Sequence, residues 1–508
     1  MAVVHHYGSR TPVPLLRLLL AVLLCAACTA AASPYTPAED THTRNFLLLL
    51  AKDLPALARI WDPSVDYCSW DGVSCKSKGV VINVSNLGLS GTLPELDASL
   101  NASRIYVSEI HVDGNPGVSG PLPPSWGSLA ALTYFSSSDC SISGSVPSEW
   151  NAMSSLQSFE ASNTSLSGTL PVEWCTMPKL WEFTADMTSL SGTLPPQWQS
   201  MQRMFYLNLS YTNVAGTLPP AWSHMTQLSH FDLSSTKVTG VLPVEWRGMT
   251  NLLYVNLSNT DIAGTLPPTW STLGKFVVFD MSNTQLVGTL PSEWSSMQRL
   301  RQFDVSGTRL AGTLPPEWCV LQKLTRVLLA HTALNGTLPT EYGALHLEVL
   351  DVAHTGLSGT IPAAWGSLVN LTHVDFSETQ VAGCLPKEWL CTLGLTTSGV
   401  GLSSAVSRGC PSAADVCGTA HSARGLTWWM IALIVLAGVL LLAALGWWFR
   451  SRANILPAGT PDVWNEQRGD AAETYLYTSL PEQEHSSNGD ATSADVVVPV
   501  CGSKDRTS

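Results

Sequence analysis

Between residues 80 and 390 the apolar positions of this chain return on a 24-residue beat. The clearest marker is glycine in a Ser/Ala-Gly-Thr-Leu-Pro setting, at Gly91, Gly120, Gly144, Gly168, Gly192, Gly216, Gly240, Gly264, Gly288, Gly312, Gly336, Gly359 and Gly383. Of the twelve intervals ten are 24 residues, one is 29 and one is 23. One unit shows the logic, with apolar side chains at Leu252, Val255, Leu257, Ile262, Leu266, Trp270 and Leu273. The alternation at Val255 and Leu257 predicts a short strand with Asn256 facing outward. Gly264 and Pro267 turn the chain, and Trp270 and Leu273 return an apolar edge to the interior. No unit buries its own apolar face, so stacked neighbours must share one continuous core.

The spacing L-x-x-L-x-L-x-x-T-x-L-x-G-x-L-P-x-x-W-x-x-L predicts a leucine-rich-repeat solenoid of about 13 repeats over 80–390, with short parallel strands on the concave face. The position that ordinarily holds Asn holds Thr at Thr164, Thr188, Thr212, Thr236, Thr260, Thr284, Thr308, Thr332, Thr355 and Thr379, and Cys140 stands there once. A buried hydroxyl needs a partner in the turn or on the next rung. Trp126, Trp150, Trp174, Trp198, Trp222, Trp246, Trp270, Trp294, Trp318, Trp365 and Trp389 form a second column, with Tyr342 filling its gap. These rings are expected to replace core leucines, because aromatics chiefly carry buried area. The alternative is an exposed sugar-stacking ladder.

The flanking segments set the expected compartment. Arg10 and Arg17, an apolar run from Leu15 to Ala27 and the small residues through Ala32 read as a secretory signal peptide over 1–32. An N-terminal cap over 33–79 is expected to hold a helix from Asn45 to Ile60 and a Cys68–Cys75 disulfide. Cys384, Cys391, Cys410 and Cys417 cluster after the last repeat, in a cap and stalk over 391–427, with three pairings open. Cys140, Cys175 and Cys319 are left over and are expected to be free, or one to engage Cys140 or another molecule. Residues 428–449 carry no charge and would span about 33 Å as a helix, enough for a bilayer core. Arg450 and Arg452 place the 450–508 tail in the cytosol, where its composition predicts disorder. The outline is a type I membrane protein at the plasma membrane with an extracellular ectodomain.

The chain has 508 residues and a formal net charge of −13, with 13% charged and 45% hydrophobic residues. That balance excludes a nucleic-acid binder, which needs clustered Lys and Arg. No metalloprotease, nucleophile-elbow, P-loop or dinucleotide motif is present, so neither an enzyme nor a cofactor is expected. Asp232, Asp280, Asp304, Asp351 and Asp375 all stand eight residues before the glycine, with Glu160 likewise. They predict an acidic column on the concave face, either a docking surface for a basic partner or a simply solvated strand face. His331, His354 and Glu378, five before the glycine, are metal-ligand types, but rungs about 4.8 Å apart suit one ion poorly. They are expected to form a solvated face.

Seven N-x-[ST] sequons lie at Asn83, Asn101, Asn163, Asn208, Asn256, Asn335 and Asn370. Glycans at Asn83, Asn208 and Asn256 would shade the strand face, leaving the open face nearer the C-terminal repeats. In the tail, Tyr477 and Leu480 match a Y-x-x-Φ sorting signal, and Tyr475 and Tyr477 are alternatively phosphorylation sites.

The Gly312–Trp318 motif G-T-L-P-P-E-W and Thr on the ladder, as in Asn283–Pro291, resemble the promastigote surface antigen family of trypanosomatid parasites over roughly 40–420. The Cys68-Ser-Trp-Asp-Gly-Val-Ser-Cys75 segment and the general repeat are similar, more distantly, to plant leucine-rich-repeat receptor ectodomains. The first resemblance implies a surface glycoprotein that adheres to host cells or to host serum proteins, complement among them. The reading is a non-enzymatic cell-surface protein with an extracellular protein or glycan ligand and an endosomal or flagellar-pocket pool. Rivals are a signalling or sorting receptor acting through the tail, and a surface coat or immune decoy.

Overall fold

The computed structural model describes residues 37–390 and 396–398. The described residues open with an α-helix, Pro37–Asp53, rather than the Asn45–Ile60 helix expected from sequence. Pro37, whose missing N–H costs nothing in a first turn, opens it, and Pro55 forbids its continuation. Leu57–Arg59 forms a separate 3-10 turn instead. The helix lays Phe46 edge-on against Trp126 of the solenoid, ring centroids 5.6 Å apart, closing the N-terminal end of the core. Behind it Trp61 stacks on Trp70 at 5.3 Å, and the Cys68–Cys75 disulfide pins the loop between them.

Two sheets then run the length of the described solenoid. One has 15 strands, parallel except for the first antiparallel pair, Val73–Lys76 with Gly79–Asn83. The other, of 13 strands, is built from the segments at the repeat glycine, such as Ser189–Thr193 and Asn213–Thr217, on the opposite side of each coil. The sequence reading did not foresee it. Between the sheets each unit makes one 3-10 turn, such as Pro268–Thr272, entered through Pro267 in extended conformation.

The Trp column is core. Every member from Trp126 to Trp365 is at most 1% exposed, and the pairs Trp126–Trp150, Trp150–Trp174, Trp198–Trp222 and Trp246–Trp270 stack face to face at 6.2–6.4 Å. Phe135, Phe159, Phe231, Phe279 and Phe303 meet these rings edge-on. Indole adds what leucine lacks, a donor. Trp270 Nε1–H donates to the Pro243 carbonyl of the preceding rung at 3.0 Å, and Trp150, Trp222 and Trp318 do the same to Pro123, Pro195 and Pro291. The Tyr342 hydroxyl takes the same role toward Pro315.

The Thr ladder works within its own rung. Thr260 Oγ1 donates to the Leu257 carbonyl at 2.6 Å, and the same i−3 bond recurs at Thr164, Thr212, Thr284, Thr332 and Thr355. Asn115, the one ladder amide, instead joins two rungs: it accepts from Leu87 and Leu89 N–H and donates to the Val84 and Val112 carbonyls. Substituting Thr for Asn therefore gives up an inter-rung bond, and the Trp–Pro bond supplies one elsewhere.

The glycine of each unit has a steric reason. Gly192 sits at φ +79°, and a Cβ there would lie 2.7 Å from Thr169 Cγ2 of the preceding rung. The Thr methyl fills the notch that the next glycine leaves open, which explains the Gly-Thr pair.

Candidate binding face

The expected acidic residues end strands of the 15-stranded sheet, the one read from sequence as concave, and stand in register, Asp232 beside Asn256 beside Asp280 beside Asp304, with Asp351 beside Asp375 further on. Each carboxylate also closes its own strand. Asp232 and Asp280 accept from Ser234 and Ser282 N–H at 2.8 and 2.9 Å, and Asp304, Asp351 and Asp375 do likewise two residues on. Asn208 and Asn256 make the same turn with their amide oxygens. The column thus has a structural duty that a neutral Asn performs equally well, so the charge is an addition to it. That charge is held at a cost. Burial raises the carboxyls of Asp232 and Asp280, and pushes Asp304 up to about 6 with Asp280 adding repulsion. Among the described residues none of these carboxylates forms an ion pair.

A second outward column, two residues before the first, was not singled out from the sequence. It runs through Glu182, Tyr206, His230, Tyr254 and Val278 in register on consecutive strands. His230 lies between two tyrosines, 5.5 Å from the Tyr206 ring and 6.1 Å from that of Tyr254. Phe205 touches His230 at 5.6 Å and Trp181 touches Phe205 at 6.4 Å, so five rings are joined across four rungs. His230 is 6% exposed, neither ring nitrogen has a partner among the described residues, and burial pulls its pKa down to about 4. Toward the N-terminus Ser158 Oγ donates to both Glu160 and Glu182, and burial with the nearby Glu160 charge pushes Glu182 up to about 7. The signal for this column was available: it is the outward position one pleat from the Asp series.

His331, His354 and Glu378 occupy a left-handed backbone position, φ 52–56°, where the chain leaves the concave strand. The two imidazoles stack in parallel at 4.2 Å, an arrangement that aims no pair of nitrogens at one point. No metal-binding group of three is present among the described residues. Asn163 shares that left-handed turn position. Asn101 caps a short turn through Ser103 N–H, Asn335 lies on an outward edge of the second sheet, and Asn83 accepts from Ser85 N–H at the first rung.

Cys140 and Cys175 are free as expected. Cys319 is not: it is disulfide-bonded, as is Cys384. The expectation of a free Cys319 is therefore overturned, and its partner is neither Cys140 nor Cys175. Cys319 is 1% exposed on a 3-10 turn, and rung spacing puts it beyond reach of Cys175 without excluding other thiols. Cys391, Cys410, Cys417, the signal segment, the 428–449 span, Tyr477 and Leu480 lie outside the described residues. Among the described residues no helix is long and apolar enough to cross a membrane.

Known proteins agree with this architecture. Residues 44–76 match the leucine-rich-repeat N-terminal domain and 346–368 the leucine-rich repeat. A 120-residue stretch, 22% of this chain, is 36% identical to the surface membrane glycoprotein GP46/M-2 of Leishmania amazonensis and covers 25% of that protein. Another, of 114 residues, is 35% identical to the receptor protein kinase WSS1 of Oryza sativa and covers 22% of this chain and 11% of the kinase. The chain thus spans a minor part of either relative. In structure it is similar to the Arabidopsis receptor kinase HAESA in complex with the peptide hormone IDA and the co-receptor SERK1, with TM-score 0.57, 23% identity, and 72% and 70% of the two chains covered. The chain folds as a leucine-rich-repeat solenoid and is similar, over part of its length, to a Leishmania surface membrane glycoprotein and to a plant receptor protein kinase.

Proposed function

We propose that this is a non-enzymatic cell-surface binding protein whose concave sheet docks an extracellular protein or glycan, in adhesion to host cells or serum proteins. The observation that carries the reading is the concave face itself. It presents carboxylates and aromatic rings in register that have no ion-pair partner among the described residues. Its relatives support the placement at the surface, one being a surface membrane glycoprotein and another a receptor protein kinase. The outline of signal peptide 1–32, cap 33–79, solenoid 80–390, stalk 391–427, span 428–449 and tail 450–508 is part of the proposal, and places the chain in the plasma membrane. An extracellular ligand follows the precedent of HAESA with its peptide hormone.

The test is capture with a soluble 33–420 fragment from host-cell surface extracts and serum. Retention of a saturable partner, lost when concave-face residues are changed, is the expected result. A fragment that retains nothing specific refutes the reading in favour of a coat or decoy. Deleting 455–508 and following surface level and internalisation separates a sorting or signalling role. The expected outcome is unchanged ligand capture with a changed residence time at the surface.

A further inference from the structure

The five rings of Trp181, Phe205, Tyr206, His230 and Tyr254 form a platform on the concave side of the middle rungs, and its chemistry narrows what docks there. Trp181 is 38% exposed and the platform's two tyrosines are half-buried, so ring surface is open to solvent. His230, wedged among them, is 94% buried, with both nitrogens unpartnered among the described residues. A buried polar group left in that state is an unmet demand that a ligand can satisfy. Along one edge of the rings stand Asp232, Asn256 and Asp280, with Glu182 at the N-terminal end. The strand-face positions from the Glu182–Thr184 strand to the Val278–Asp280 strand contain no Lys or Arg.

We propose that this platform binds an extended cationic peptide segment, whose arginine or lysine side chains stack on the Tyr206 and Tyr254 rings and pair with Asp232, Asp280 and Glu182. The proposal rests on reading the concave sheet as the binding face, and it names the ligand class. Three arguments converge on positive charge. Aromatic faces carry a negative quadrupole and attract ammonium and guanidinium groups. Burial disfavours the charged forms of Asp232 and Asp280, and burial together with the nearby Glu160 charge disfavours that of Glu182, so a cation laid against them offsets that cost. Guanidinium in addition matches a carboxylate edge bidentately while lying flat on a ring. A sugar would use the rings but would leave the cost of the buried carboxylates in place. Five rungs span about 19 Å at one strand spacing each, the reach of about six extended residues.

Asn208 and Asn256 lie within the platform, and each amide is already engaged, Asn256 donating to Asp232 and the Tyr254 hydroxyl. A glycan on either would cover the rings, so the proposal requires both to be bare.

The experiment uses the purified full-length protein in detergent. Fluorescence anisotropy follows a labelled octapeptide of alternating arginine and glycine, its glutamate counterpart, and labelled maltohexaose. The expected result is saturable binding of the arginine peptide alone, weakened severalfold between 50 and 300 mM salt. Tyr254→Leu should weaken it about tenfold, the size of a partly desolvated cation–π contact. Asp280→Asn, which keeps the strand-end turn, should weaken it about fivefold. Gln285→Ala on the second sheet is the control and should change nothing. Arginine-peptide binding that ignores both concave substitutions overturns the proposal. Selective binding of the glutamate peptide or the sugar, lost on Tyr254→Leu, overturns the cationic assignment while leaving the concave face as the binding face. Failure of all three probes, with partner capture by the ectodomain unaffected by both substitutions, overturns the two readings together. Glycopeptide mapping that finds sugar on Asn208 or Asn256 also overturns the platform proposal and returns the open face to the C-terminal repeats.

Discussion

Replacing Tyr342 with Phe removes one hydroxyl and leaves the ring in place, which makes it the cleanest probe of how rungs are tied together. Tyr342 is 1% exposed, stacks on Trp365 at 6.4 Å and donates its hydroxyl to the Pro315 carbonyl at 3.1 Å. That carbonyl also accepts from Trp318 N–H at 3.1 Å, closing its own 3-10 turn. The substitution therefore deletes a bond without orphaning the acceptor, and creates no cavity larger than an oxygen atom. One neutral hydrogen bond in a dry setting is worth about 1 kcal/mol, so the cost should be about 1–1.5 kcal/mol. With an m-value of about 5 kcal/mol/M in guanidinium, the midpoint should fall by about 0.2–0.3 M at unchanged slope. Tryptophan fluorescence of the full-length protein measures it. No shift would mean that the donor into the preceding rung carries no stability. A loss above about 3 kcal/mol would mean repacking, and either result refutes the inter-rung argument.

Thr260→Val keeps shape but removes the 2.6 Å bond to Leu257, and denaturation should show a loss of about 1–2 kcal/mol. Gly192→Ala places a Cβ against Thr169 at φ +79° and should cost about 2 kcal/mol by the same assay, while Thr169→Ser in the same chain should recover part of it. Asp304 has a folded pKa of about 6 against 3.8 for the free group, so its contribution to stability falls as pH rises from about 4 to about 6. Asp304→Asn should therefore gain on wild type by up to about 3 kcal/mol across that window. Melting curves at pH 4.5 and 7.5 check this, and a pH-independent difference refutes it. Reversing Asp280, Asp304 and Asp351 together to Lys should abolish capture of the arginine octapeptide, and undiminished anisotropy would end the charge argument.

Much of the fold was legible because a repeat multiplies a weak signal. Val255, Leu257 and Trp270 each say little, yet thirteen copies leave one solution for which side faces in. The second sheet was missed because Ser-x-Ser-Gly-Thr has no apolar alternation beyond a single inward residue such as Leu190, and its strands exist through pairing with neighbours. The shared strand-end register of the acidic residues is legible in their common distance from the glycine. Their role in closing each strand is not, since an Asp accepting from the N–H two residues on looks, in sequence, like any Asp before a Ser. The ring platform escaped because it is where the repeat varies: Tyr206, His230, Tyr254 and Val278 share a position but no residue type. Conserved spacing revealed the scaffold, while the candidate site lies in the exceptions. Cys319 was read as free because spacing along the repeats tested its reach only toward Cys175, whereas it is disulfide-bonded.

Most joints between rungs use the same pair of fittings, a Thr methyl in the next glycine's notch and a Trp or Tyr donor on the previous proline carbonyl. Identical fittings are interchangeable, so a whole 24-residue unit can be gained or lost by recombination with the new junction already made to gauge. Alleles differing in repeat number should fold without compensating changes. The length of the solenoid is then free to vary while the chemistry of the joints stays constant.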